Sequence, residues 1–102
     1  TYARDGRCAV SGTGKGEYFI RYCVGHEIAS LIGYAGLSLQ EAAERAMAEL
    51  TAHKIGAGLV AIGADGEIVA PYNTGGMYRG WVTPDGLVHV GTHADVEVMG
   101  QA

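Results

Sequence analysis

At 102 residues the chain is long enough for one domain, and no internal Pro/Gly/Ser-rich linker divides it. Hydrophobic residues make up 48% and charged residues 18%, a globular composition rather than a disordered one. A formal charge of −4 with scattered Lys and Arg gives no reason to expect a nucleic-acid partner, and no apolar run approaches the roughly 18 residues that span a bilayer.

Taken in chain order, Arg4-Asp5-Gly6 reads as a turn and residues 7–11 as a short, mostly buried strand, expected to stop abruptly at Gly12-Thr13-Gly14-Lys15-Gly16. From Glu17 the period changes. Phe19, Ile20, Cys23, Val24, Ile28, Leu31 and Ile32 recur at three- and four-residue steps, which predicts one amphipathic helix closed by Gly33 and Gly36. Ser38-Leu39-Gln40-Glu41 is a capping box for a second helix over residues 39–53, with Ala42, Ala43, Ala46, Met47 and Leu50 facing inward.

The period then falls to two. Residues 58–62 predict a buried strand, Ala64-Asp65-Gly66-Glu67 a hairpin turn and residues 67–71 the returning strand. Residues 77–82 predict a further strand, turned by Thr83-Pro84-Asp85-Gly86 to pair with residues 87–90. Beyond Thr92 the pattern fades, and a loose tail is expected. The order is strand, Gly loop, two helices and an antiparallel strand meander, an α+β layer with helices on one face of the sheet. The opening strand has no evident partner beside it, so its neighbours are expected from far along the chain or from another polypeptide.

Cys8 and Cys23 form no CxxC pair or disulfide framework and read as two buried free thiols, as in a reducing, cytoplasmic compartment. His26, His53, His89 and His93 form no HExxH or Cys/His grouping, so neither a metal nor any other cofactor is expected. Glu17 suits a helix start, Arg21 and Arg79 suit structural pairing with acids or carbonyls, and Tyr78 and Trp81 suit a core or interface.

Residues 11–17, Ser-Gly-Thr-Gly-Lys-Gly-Glu, carry the most chemical information. Between a strand and a helix N-terminus they gather free backbone amides, the positive helix end and the Thr13 hydroxyl, donors suited to a phosphate, a carboxylate or the oxyanion of a tetrahedral intermediate. A phosphate loop fails on spacing. It needs Gly five positions before the Gly-Lys pair and Ser or Thr after the Lys, where Ala9 and Gly16 stand. The GxGxxG spacing of a dinucleotide fold is missing too. A plain glycine turn into a helix fits the same local pattern.

The stretch Ala9-Val10-Ser11-Gly12-Thr13-Gly14-Lys15-Gly16-Glu17-Tyr18-Phe19-Ile20-Arg21 resembles the plant-type asparaginase and isoaspartyl-peptidase family of N-terminal-nucleophile hydrolases, whose pattern runs Val-Ser-Cys-Thr-Gly-x-Gly-Glu-x-Phe-Ile-Arg. Gly36-Leu37-Ser38-Leu39-Gln40-Glu41-Ala42, Asp65-Gly66-Glu67 and Pro71-Tyr72-Asn73-Thr74-Gly75-Gly76-Met77-Tyr78-Arg79-Gly80-Trp81 match the family in the same order, over nearly the whole chain. The resemblance implies part of an αββα sandwich, the C-terminal part of a β subunit, with a companion α subunit and the rest of the β subunit in an (αβ)2 assembly. It implies hydrolysis of L-asparagine and β-aspartyl dipeptides.

Within the loop, the resemblance puts the Thr13 hydroxyl and the Gly14 amide in an oxyanion hole and gives Gly16 a main-chain contact to the substrate amino group. Lys15 belongs to the same substrate-binding loop at a variable position. Gly12 departs from the family's Cys, which should change packing behind the loop and not the chemistry. Tyr2-Ala3 resembles the family's segment just before the Gly-loop strand, well after the nucleophile. The resemblance therefore implies that Thr1 is not the nucleophile, and that a Thr followed by Val-Gly-Ala and a Gly-Arg-x-Gly-Asp carboxylate clamp belong to another segment. The family's structural sodium ion would be held by the larger subunit. Two other readings use the same loop: a non-catalytic anion-binding α+β module, and a structural subunit that depends on a partner.

Overall fold

The computed structural model describes residues Thr1–Ala102. Its first sheet begins with a hairpin. Strand β1 (Tyr2–Arg4) turns through Asp5-Gly6, closed by the Arg7 N–H donating to the Arg4 carbonyl (3.1 Å), and pairs antiparallel with β2 (Cys8–Gly14). The opening strand therefore does have a neighbour next to it in sequence. The three-residue β1 is too short and too exposed to show a period of two, which is why the sequence pattern passes over it.

The other partner of β2 comes from far along the chain, as expected. Strand β3 (Ala57–Gly63) lies antiparallel to β2 along its whole length, from Cys8 opposite Gly63 to Gly14 opposite Ala57, and β4 (Ile68–Val69) completes the order β1-β2-β3-β4. The pairing carries β2 through Gly12-Thr13-Gly14, three residues past the expected stop. Glycine is a weak strand former alone, but Leu59, Gly58 and Ala57 supply a ladder for these residues.

Three helices connect β2 to β3: α1 (Gly16–Arg21), α2 (Val24–Gly33) and α3 (Leu39–Ala52). The single helix expected after Glu17 is broken at Tyr22-Cys23, where Cys23 takes the left-handed conformation (φ 49). The break shifts the helical phase. Val24 and Ile28 stay buried, whereas Ile20 is 79% exposed and Cys23 is exposed. Cys8 is a buried thiol as expected and burial pushes its pKa up, but Cys23 is free and open to solvent.

Helix α3 follows its local code closely. The Ser38 hydroxyl accepts from the Glu41 N–H (3.1 Å) and the Glu41 carboxylate accepts from the Ser38 N–H (3.2 Å), which together form the capping box. Ala42, Ala43, Ala46, Met47 and Leu50 all face inward. With Val24, Ile28 and Ala29 from α2 and with Cys8, Val10, Leu59, Ala61 and Val69 from the sheet, they build one core between helices and sheet. The opposite face of β2 and β3 is uncovered: Val60 and Ile62 are 41% and 46% exposed.

A second antiparallel sheet, β5 (Arg79–Val82), β6 (Leu87–Gly91) and β7 (Val96–Gln101), takes no part in that core. Strand β7 replaces the expected loose tail. It pairs with β6 across an irregularity at Val88/His89, and its fully exposed face gives no buried/exposed alternation for a sequence to show. The architecture is α+β, and no helix is long and apolar enough to cross a membrane.

The capping box gives a direct test. Ser38→Ala should lower the unfolding free energy by about 1 kcal/mol in urea denaturation. Hydrogen bonds from the Ser38 backbone N–H and hydroxyl region hold the Glu41 carboxyl below its ordinary range. A carboxyl depressed on folding stabilises above its unfolded pKa and loses that contribution as pH falls through the folded one. Ser38→Ala keeps the backbone donor and loses only the hydroxyl's smaller share, so its difference from wild type should narrow only slightly on acidification.

Candidate active site

The Gly-rich segment lies at the end of β2 and the start of α1. Alternation along the strand fixes which way its side chains face. Cys8 and Val10 are buried against the helices and Gly12 meets the Phe19 ring of α1, so Ala9, Ser11 and Thr13 face the opposite, uncovered side. Thr13 is thus presented at the edge of the open sheet face, directly opposite Gly58 of β3. The Phe19 ring occupies the space that a side chain at position 12 would fill, which accounts locally for the glycine there.

Gly14 has φ +115, a region closed to most side chains, and a Cβ on it would lie 2.7 Å from the Gly56 carbonyl oxygen. Its backbone is therefore pressed against the Gly56–Ala57 backbone. Thr13, Gly14, Lys15 and Gly16 are all exposed. The expected helix-dipole contribution is weaker than the sequence implied, because α1 is only six residues long and Lys15, its N-cap, makes no side-chain cap bond.

A cavity of about 360 Å³ opens beside Thr13 and Gly14. Gly58, Thr74, Met77 and Tyr78 line it together with those two residues, while Lys15 and Gly16 lie outside it. The Met77 thioether takes the room that a side chain on Gly58 would need, across the ladder from Thr13. Thr74 and Met77 come from the connection between β4 and β5, a loop whose two ends are fixed by side chains. At one end Asn73 bonds to residues 51–57; at the other, Arg79 donates to the Met77 and His93 carbonyls, both at 2.8 Å. Neither Asn73, Thr74, Met77 nor Gly58 is singled out by reading the residues for chemistry. The available signal is the polar, glycine-rich run Asn73-Thr74-Gly75-Gly76 between two strand patterns.

A second hollow of about 300 Å³ lies over the uncovered sheet face, among Ala9, Ser11, Val60, Ile62, Ile68 and Trp81. Thr1 borders this hollow and not the Thr13 cavity; its hydroxyl lies 3.4 Å from that of Ser11. The four histidines are separately engaged. His26 meets the Tyr2 ring edge-on, His53 stacks on Tyr22, His89 stacks on Trp81 and bonds Thr83, and His93 bonds Thr92. Arg79 pairs with carbonyls as anticipated and lies 5.0 Å over the Tyr72 ring, whereas Arg21 lies over Tyr18. Trp81 is half-buried, while Tyr78 is 86% exposed at the cavity mouth.

A family model described as asparaginase matches residues 1–92. The chain belongs to the asparaginase family. It is 49% identical over 81 residues to an isoaspartyl peptidase of Escherichia coli K12, which covers 78% of this chain and 25% of that protein. It is 39% identical over 93 residues to a protein named probable isoaspartyl peptidase/L-asparaginase 2 in Arabidopsis thaliana, covering 88% of this chain and 27% of that protein. An isoaspartyl peptidase of Salmonella typhimurium is 46% identical over 81 residues, covering 78% of this chain and 26% of that protein. The chain spans about a quarter of the length of these curated relatives.

The tight seat of Gly14 can be tested within this asparaginase-family chain. Gly14→Ala would combine an unfavourable φ with a backbone clash that no side-chain rotation relieves, and should cost about 2 kcal/mol or more in thermal or urea unfolding.

Proposed function

We propose that this chain is the oxyanion-stabilising and substrate-binding portion of an amidohydrolase that acts on L-asparagine and β-aspartyl dipeptides. A threonine from a segment outside this chain attacks the amide carbonyl, with its own N-terminal amine accepting the hydroxyl proton. Negative charge then develops on the carbonyl oxygen, where the Thr13 hydroxyl and the Gly14 N–H donate to it. Collapse of the tetrahedral intermediate expels ammonia, or the amine of the second residue in a dipeptide, and leaves an ester on the threonine. Water attacks that ester, the same donors hold the second oxyanion, and aspartate leaves.

The observation that carries the reading is the setting of Thr13 and Gly14: a strand end on the open sheet face, a backbone fixed against Gly56, and a cavity beside both. Donors held rigidly before reaction stabilise developing charge without a reorganisation cost. Gly16, at the start of α1, contributes a main-chain contact to the substrate amino group, and Lys15 completes the loop between them. The position of Thr1 beside Ser11, away from the Thr13 cavity, supports a nucleophile supplied by another segment. The exposed apolar face of Val60 and Ile62 supports an αββα sandwich in which a further layer packs there, within an (αβ)2 assembly of α subunits and complete β subunits.

In the full-length protein carrying this segment, Thr13→Ala should lower kcat by about 10²–10³-fold with a much smaller change in KM, as for loss of one oxyanion donor. Thr13→Ser, which keeps the hydroxyl, should retain most of the activity. Steady-state hydrolysis of asparagine and of a β-aspartyl dipeptide measures both. A folded Thr13→Ala protein with unchanged kcat would remove Thr13 from the oxyanion site.

A further inference from the structure

Asn73 stands in the loop between β4 and β5 and makes more directed contacts than any other side chain near the Thr13 cavity. Its Oδ1 accepts from the Ala57 N–H (2.7 Å), and its own N–H donates to the Ala57 carbonyl (3.0 Å), so the two residues are joined reciprocally. Its Nδ2 donates to the Ile55 carbonyl (2.8 Å) and to the Thr51 hydroxyl (2.9 Å), which in turn donates to the Met47 carbonyl of α3 (2.8 Å). One amide thus ties the last turn of α3, the first residue of β3 and the loop into a single unit. An asparagine is suited to this because it offers an acceptor and two donors on one planar group.

The stretch that Asn73 holds is the stretch that seats Gly14. Gly14 is paired with Ala57, and its bare Cα faces the Gly56 carbonyl oxygen. The chain leaves α3 sharply there, with Lys54 in the left-handed conformation (φ 60) and the Ile55 N–H donating back to the Leu50 carbonyl (2.9 Å), so helix bonding ends at Ile55 and does not reach Gly56 and Ala57. Their position is set by the Asn73 bonds on one side and the β2 ladder on the other. The same loop carries Met77 to its place against Gly58, opposite Thr13. Both walls that bound Thr13 and Gly14 therefore lead back to Asn73.

We propose that Asn73 is a positioning residue for the oxyanion donors, acting through Ala57 and Gly56 on the Gly14 backbone and through the loop on Met77 beside Thr13. The inference rests on the oxyanion role proposed above for Thr13 and Gly14. A donor group displaced by a fraction of an ångström still binds substrate but meets the transition-state oxygen at poor geometry.

Asn73→Asp tests this in the full-length protein. It keeps the acceptor for the Ala57 N–H and nearly the same shape, but removes the donors to Thr51 and Ile55. The folded variant should lose about 10–100-fold in kcat with KM within about 3-fold of wild type. In amide-resolved NMR the Gly14 cross peak should shift and its hydrogen exchange should quicken. Thr51→Ala, which removes one partner of the amide, should show the same changes to a smaller degree, and it decides the matter if Asn73→Asp does not fold. Unchanged kcat and an unmoved Gly14 cross peak in either folded variant overturn the proposal. If Thr13→Ala also leaves kcat unchanged, Thr13 is not an oxyanion donor, and the Gly14 cross peak alone then judges the Asn73 link. Movement of that peak keeps the link, and its absence removes it.

Discussion

The antiparallel pairing of β2 with β3 is the constraint on which the other features rest. Seven residues of each strand face one another from Cys8–Gly63 to Gly14–Ala57. Because side chains alternate, this one register sends Cys8, Val10, Leu59 and Ala61 toward the helices and Ala9, Ser11, Thr13, Val60 and Ile62 to the other side. A slip of one residue would exchange the two sets, bury the Thr13 hydroxyl among apolar side chains and expose the core face. The register that makes the core is thus the register that presents the candidate catalytic donors.

The helices supply the covering layer and the distance between the strands. Helix α3 is fixed at its start by its capping box and along its length by small inward residues, Ala42, Ala43 and Ala46, which let it lie close to the sheet and to α2. Helices α1 and α2 answer two demands that one straight helix cannot meet. Phe19 has to lie on Gly12 behind the Gly loop, and Val24 and Ile28 have to enter the core. The turn at Cys23 reorients the chain between them at the cost of a left-handed non-glycine residue. At the far end of α2, Arg7 spans the gap to the first hairpin. Its guanidinium covers Gly33 and lies 4.6 Å over the Tyr34 ring, and Arg7 and Arg4 together draw the Tyr34 phenol below its ordinary pKa.

The uncovered sheet face and the second sheet give the chain an asymmetric character. One face of β2 and β3 is sealed by helices, while the other meets only part of β5 through Gly80 and Trp81 and leaves an apolar hollow. The second sheet is held by side-chain and main-chain bonds at its base, from Arg79 to the Met77 and His93 carbonyls and from Met77 to the Thr92 carbonyl, rather than by a core of its own. These bonds hold the loop of Thr74 and Met77 across the strand ends, where Thr13 and Gly14 are.

The sequence by itself determined what short-range physics encodes. The capping box, the inward face of α3, the strand containing Leu59 (though with Val60 and Ile62 exposed rather than buried) and the turns at Asp65-Gly66 and Asp85-Gly86 each depend on residues a few positions apart, and each is found where its pattern put it. The segment of Thr13 and Gly14 was legible as a cluster of donors, and its motif was specific enough to carry the family. Tertiary structure decided how far β2 runs, where the first helix breaks, that β7 exists and which residues support Gly14. Glycines have no strand preference until Ala57 and Gly58 are beside them, and an exposed edge strand shows no alternation to read. An asparagine in a loop looks like any turn residue until Thr51, Ile55 and Ala57 are folded against it. These features are set by partners distant in sequence, which a local pattern does not contain.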